Sequence, residues 1–146
     1  MAQYSILIAG CGDLGNAVGK RLIEAGMRVY GLRRNIDQLS EGLIPIEYDL
    51  LNEDAPPKLP AVDYLIYTAA AKSRDLRTYQ RVYVDGPQKI LHALPKSPKR
   101  VIITSSTGVY AQHQHEWIDE SSPTEPNNPF GKLLLKGEEA LAVEGC

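Results

Sequence analysis

The sequence predicts an α/β fold: a doubly wound parallel sheet of about five strands in the order 3-2-1-4-5, with helices on both faces. Three observations predict it. Short β-rich runs alternate with helical segments along 146 residues, a pattern that packs as helices over a parallel sheet. The runs at 4–9 and 100–105 are nearly continuous in apolar or β-branched residues, as strands are when both faces of a sheet are covered. A glycine-rich turn, GCGDLG at 10–15, joins the first run to an amphipathic helix, and right-handed crossovers then set the strand order.

The elements follow in order. YSILIA (4–9) is the first strand. Leu14, Val18, Leu22 and Ile23 recur at helical spacing after it, and Gly26 is a stop signal. RVYGL (28–32) is the second strand, IPIEY (44–48) a weaker third and DYLIY (63–67) the fourth. A second helix is expected over about Leu76 to Leu94, with Val82, Ile90, Leu91 and Leu94 inward. Gly86 and Pro87 interrupt it, so a kink or a late start is expected there. RVIITS (100–105) is the fifth strand. Residues 111–128, AQHQHEWIDESSPTEPNN, show no period, and irregular stretches this long are usually functional or mobile. A last helix runs from near Phe130 to about Val143. The length suits one domain, 1–146.

Composition narrows the function classes. Hydrophobic residues make up 43% and charged ones 23%, as in soluble globular chains. A net charge of -2 argues against a nucleic-acid partner. No apolar run approaches the roughly 20 residues of a membrane span, and MAQYSILIAG lacks the basic start of a signal peptide. A cytoplasmic location with no membrane partner is the expectation; a homo-oligomer stays open. The two cysteines, Cys11 and Cys146, make no disulfide framework. Cys11 reads as a small residue filling a tight turn in preference to a reactive thiol. His113, His115 and Glu116 lack a third ligand of fixed geometry, so they read as solvated loop residues and no metal is expected. Trp117 either covers a substrate or pins its loop to the body.

The turn carries the chemistry. A G-x-G-x-x-G that follows a strand and opens a helix is a dinucleotide-binding signature. Gly10 allows the tight turn, Gly12 lets the backbone approach a pyrophosphate, and Gly15 lets helix and strand pack closely. Asp13 and Leu14 lie at the helix start, whose N–H groups and partial positive charge favour phosphate. At the end of the second strand, where an acidic residue would bind the ribose of NAD, stand Arg33 and Arg34. Guanidinium groups suit a 2′-phosphate, so NADP(H) is the expected cofactor and NAD(H) the less favoured one.

With ILIAGCGDLG, EYDL (47–50), YTAAA (67–71) and VIITSSTGVY followed by DESSPTEPNNPFGK, the chain resembles the short-chain dehydrogenase/reductase superfamily. The nearer branch is the extended and atypical group of NAD-dependent epimerases and dehydratases. The four blocks cover essentially the whole chain. The resemblance implies a Rossmann-like fold, adenine contacts from Asp49 and Leu50, and a cofactor lining of Thr68, Ala69 and Ala70. It also implies a reaction run by a tyrosine, a lysine four residues on, a serine or threonine, and an asparagine. Laid along this chain, the tyrosine place is Phe130, the lysine place Leu134 and the asparagine place Tyr83. The serine survives as Ser106, and Tyr110 is the spare acid.

On an ideal helix Leu134 returns to within about 40° of Phe130, whereas Lys132 and Lys136 point about 160° and 120° away. Members of the extended branch continue beyond the helix after the fifth strand, so this chain looks like the cofactor half of a longer protein. Three readings stay open. One is an NADP-dependent oxidoreductase, epimerase or dehydratase on a small polar, sugar-nucleotide-like substrate. The second is a non-catalytic dinucleotide-binding or redox-sensing module with a degenerate site. The third is a remnant that merely folds.

Overall fold

The computed structural model describes residues 3–143; Cys146 lies outside them. Five parallel strands form one sheet in the order β3-β2-β1-β4-β5. They are β1 (Ser5–Ala9), β2 (Arg28–Arg33), β3 (Ile44–Glu47), β4 (Tyr64–Tyr67) and β5 (Arg100–Ile103). The predicted order is the observed one.

The register explains the two cores. Ile6 pairs Val29 and Tyr64, and Ile8 pairs Gly31 and Ile66, so these side chains share one face. Helix α1 (Asp13–Glu24) covers that face with Val18, Leu22 and Ile23 around buried Ile6, Ile8 and Val29. The alternate residues, Leu7, Ala9, Leu32, Leu65 and Tyr67, face the other way and pack with Ile90 and Leu94. Alternation is the period-two pleat at work. At the N-terminal edge of the sheet, the Ser5 amide and hydroxyl both donate to the Asp63 carboxylate, at 3.0 and 3.1 Å, and Lys99 lies 3.3 Å from it. The Ser5 amide first, and Lys99 after it, hold the Asp63 carboxyl below its ordinary range.

Three expectations change in detail. Leu14 is not on the inward stripe of α1: it is 55% exposed, and Gly15 and Gly19 are buried beside Val18 instead. At Gly15 an added Cβ would lie 3.0 Å from Ile8, so in this first turn it is Gly15 that faces β1. The β5 run is not covered on both faces. Ile102 is 49% exposed: among the described residues, α1 covers the β1 and β2 half of that face and no strand lies beyond β5.

The third concerns the helix at Gly86 and Pro87. Helix α2 (Leu76–Tyr79) passes into a π-helical turn over Gln80–Asp85 and on into α3 (Gly86–Ala93) with helical dihedrals at each junction. The late start is not found, since the helix opens at Leu76; the π-helical turn just before Gly86 and Pro87 is the local distortion. Proline lacks the N–H that the carbonyl four residues back would accept, and the wider turn absorbs the mismatch. Tyr67 donates to the Val82 carbonyl at 2.6 Å and Gln88 to that of Val84 at 2.9 Å.

The last helix, α4 (Pro129–Val143), packs through its glycines. A Cβ on Gly131 would lie 2.3 Å from the Gly108 carbonyl oxygen, and one on Gly137 only 2.1 Å from that of Tyr83. Backbone therefore meets backbone along α4. That close approach presses the start of α4 against the turn that follows β5.

Candidate functional site

The turn after β1 is built from backbone bonds. The amides of Gly10 and Cys11 both donate to the Leu32 carbonyl, at 3.0 and 2.9 Å, and Gly12 donates to Gly10 at 2.8 Å. Gly10 has φ +73°, a conformation glycine adopts at little cost. A Cβ there would lie 2.4 Å from that of Ala69. Thr68 donates its hydroxyl to the Gly10 carbonyl at 3.1 Å. The end of β4 thus braces the turn and brings Thr68 and Ala69 against Gly10. Ala70, the next residue, is exposed.

Gly12 differs from its neighbours. A Cβ on it would have nothing nearer than the Gly10 oxygen at 4.0 Å, and its φ is -86°. Packing does not require glycine there, although its ψ of -148° lies outside the usual β and α regions; a ligand approaching that open side would also favour it. Gly12 is also the N-cap of α1 and offers no side chain to the amides of Asp13, Leu14 and Gly15. Those donors and the helix dipole face the same open side. Exposed Leu14 stands at the rim. The arrangement offers uncapped backbone donors to an anion such as a diphosphate.

Cys11 is fully buried, and burial pushes its thiol up to about 11 against the opposing pull of Arg33. It fills the turn and is not poised as a thiolate. The Arg33 guanidinium crosses the turn, donating from Nη1 to the Cys11 carbonyl at 3.1 Å and from Nη2 to the side-chain oxygen of Gln38. Arg34 is exposed beside it. Asp49 is half-buried, and one of its carboxylate oxygens already accepts the Leu51 amide at 2.9 Å. Leu50 packs against the α3-side core.

The second group gathers where β5 ends. Ser106 caps the short 3-10 turn Thr107–Val109, its hydroxyl accepting the Gly108 amide at 3.1 Å. Tyr110 follows, half-buried, with no hydrogen bond to its hydroxyl among the described residues. Leu134 is buried, at 7% exposure, and a Cβ on Gly108 would lie 3.5 Å from it. Phe130 meets Tyr79 edge-on at 4.8 Å, Tyr79 meets Tyr83 at 5.0 Å, and the Arg74 guanidinium stands 5.0 Å from the Phe130 ring centre. The Tyr83 hydroxyl accepts the Ala71 amide at 3.2 Å, so it acts as a strut to the loop after β4. Lys132 and Lys136 are exposed, as the helical angles required. An aromatic and aliphatic wall stands where the resemblance placed a proton relay.

The loop at 111–128 is irregular, as expected. Trp117 is 99% exposed, so it does not pin the loop to the body. The Glu116 carboxylate accepts the Gln114 amide at 2.6 Å, and the His113 ring nitrogen lies 3.1 Å from the Ala111 carbonyl. No group of three His, Cys, Asp or Glu suited to a metal occurs among the described residues. Nor is any of their helices long and apolar enough to cross a membrane. A cavity of about 720 Å³ lies at the other end of the sheet, between Leu91, Pro95, Lys99 and Val101. Ligands in this architecture bind at the carboxyl ends of the strands, so the turn and not that cavity is the candidate site.

Sequence reasoning missed Asn16 and Gln38. Asn16 donates to the Gln38 carbonyl at 3.1 Å and accepts the Ser40 amide at 2.8 Å. One turn along α1 from Gly12, Asn16 thereby ties the segment after β2 to helix α1. A polar residue on a half-buried helical face was the available signal.

Fold and turn together define a Rossmann-like α/β domain. The chain belongs to the NAD dependent epimerase/dehydratase family, which residues 6–142 match. It is 30% identical over 132 residues to N-acetyl-alpha-D-glucosaminyl-diphospho-ditrans,octacis-undecaprenol 4-epimerase of Escherichia coli O157:H7, covering 85% of this chain and 39% of that protein. A solved structure described as an NAD-dependent epimerase/dehydratase from Methylobacillus flagellatus is 35% identical, with TM-score 0.75, over 97% of this chain and 51% of that one. UDP-glucuronic acid 4-epimerase from Bacillus cereus, solved in complex with NAD, shares the fold at TM-score 0.73 and 20% identity, over 95% of this chain and 52% of that one. The chain therefore spans from 39% to about half of the length of these proteins.

Proposed function

We propose that this chain binds a nicotinamide dinucleotide across the turn at 10–15, with NADP(H) preferred over NAD(H). On this reading it supplies the cofactor side of an epimerase, dehydratase or oxidoreductase acting on a sugar nucleotide or a similar sugar diphosphate. One observation carries the proposal: Gly12 faces open space at the uncapped start of α1, where protein packing makes no demand for glycine. Family membership, and the sugar diphosphate and NAD named for the relatives, support the class of cofactor and substrate. Arg33 and Arg34 at the end of β2 support the 2′-phosphate. The residues held to act on substrate are Ser106 and Tyr110. The parts that shape the substrate pocket then lie outside the matched span.

A second reading, a dinucleotide-binding or redox-sensing module without turnover, is favoured by Phe130 and by buried Leu134. Titration with NADPH and NADH, followed by a hydride-transfer assay with UDP-glucose, separates the two. NADPH is expected to bind more tightly by about 1.5–3 kcal/mol at low salt, less so in high salt. In Gly12→Val, binding of both nucleotides is expected to vanish while circular dichroism stays unchanged. Equal affinities would overturn the NADP preference, and undiminished binding by the variant would overturn the site.

A further inference from the structure

We infer that Gln38 is a positioning residue for cofactor choice: it holds the Arg33 guanidinium at the rim of the turn, ready for the 2′-phosphate of NADP(H). The inference rests on the binding reading above and adds to it a residue that neither the glycine-rich motif nor the strand-end rule points to.

The geometry is specific. Gln38 closes a 3-10 turn, Ile36–Gln38, whose start is capped by the Asn35 side chain accepting the Asp37 amide at 3.1 Å. Its backbone carbonyl accepts from Asn16 at 3.1 Å and lies 3.5 Å from Arg33 Nη1. Its side-chain oxygen takes Arg33 Nη2. Arg33 Nη1 also reaches the Cys11 carbonyl inside the turn. Two anchors on one side and one on the other fix a long side chain that would otherwise lose its rotamer freedom only when a ligand arrives. A guanidinium has five N–H donors. Three contacts through Nη1 and Nη2 leave donors for an incoming anion. With its oxygen committed to Arg33, the Gln38 amide also keeps its NH2 group as a neutral donor at the same rim. Pre-ordering a cation and a donor where charge will be placed raises affinity by removing an ordering cost.

Gln38 is distinguishable by experiment from a merely structural residue. Its backbone carbonyl ties the segment to Asn16 whatever the side chain, so Gln38→Ala leaves that tie intact. NADPH and NADH dissociation constants are measured by titration for the wild-type chain, Gln38→Ala and Gln38→Glu. The expected result is an NADPH constant weakened about 2–10-fold in Gln38→Ala, with the NADH constant unchanged. Gln38→Glu, which keeps the acceptor for Arg33 but puts a negative charge at the rim, is expected to weaken NADPH at least as much and again to spare NADH. An NADPH-to-NADH affinity ratio unchanged from wild type in both variants overturns this inference alone. Weakening of both nucleotides alike also overturns it, since a structural role would do that. Equal wild-type affinities overturn the reading beneath it and this inference with it.

Discussion

The Tyr67 hydroxyl donates to the Val82 carbonyl at 2.6 Å, linking the centre of the sheet to the π-helical turn. Tyr67 is buried, and burial pushes its phenol well above the usual range, so it stays a neutral donor. Removing that donor leaves the Val82 carbonyl without its partner in a place water does not reach easily. Tyr67→Phe is expected to lower stability by about 1–3 kcal/mol, read from the urea midpoint at constant slope. No change would mean that the turn rearranges to satisfy the carbonyl.

Gly137→Ala is a test in which propensity and packing oppose each other. Alanine in a helix interior is normally better than glycine by about 1 kcal/mol. Here the new Cβ would stand 2.1 Å from the Tyr83 carbonyl oxygen, backbone that has no room to retreat. The variant is expected to be destabilised by about 1–3 kcal/mol. A gain in thermal midpoint would show that α4 does not press on the π-turn this closely.

Cys11 offers a pH test with a definite sign. Its folded pKa, about 11, stands above the ordinary 9.0. Its contribution is therefore complete below pH 9 and is lost as pH rises toward 11, when the unfolded chain ionises first. The stability difference between wild type and Cys11→Ala is expected to shrink by roughly 2–3 kcal/mol across that window. In a Cys146→Ser background, Cys11 is expected to resist a thiol reagent at pH 8 until denaturant is added. Rapid labelling of the native chain would contradict its burial.

What was legible in the sequence follows from periodicity. Strands β1, β2, β4 and β5 announce themselves because period-two and continuous apolar runs are local signals, and the glycine turn sits where a strand meets a helix. The failures are tertiary. Leu14 fits the helical stripe, but in the first turn of α1 it is Gly15 that faces Ile8, and Leu14 is exposed. Ile102 reads as core, yet it is half-exposed because no described element covers β5 on the α1 side. Pro87 predicts trouble in its helix but not the form of the remedy, since a π-turn depends on Tyr67 being present to take the Val82 carbonyl. At the site, Arg33 was legible as a charge and its anchor Gln38 was not, because that contact is set by the 3-10 turn after β2.

The last prediction concerns Phe130 and Leu134. Phe130 lacks a hydroxyl and is packed edge-on against Tyr79; Leu134 is buried at 7% exposure and carries no ammonium. This chain is expected to show no turnover of the tyrosine–lysine kind. General acid–base assistance is worth typically about 10²–10⁴-fold, so slow hydride transfer through another acid is not forbidden, and Tyr110 with Ser106 is where it would arise. Phe130→Tyr is expected to fold normally, since its ring is only half-buried. Leu134→Lys is a different matter. Its ammonium would enter an apolar contact with the Gly108 turn, so the variant is expected to lose several kcal/mol of stability or to hold its lysine neutral. The double variant is expected to gain activity on UDP-glucose with NADP only if a substrate pocket is present. Turnover by the unmodified chain that survives both Tyr110→Phe and Ser106→Ala would place the chemistry elsewhere.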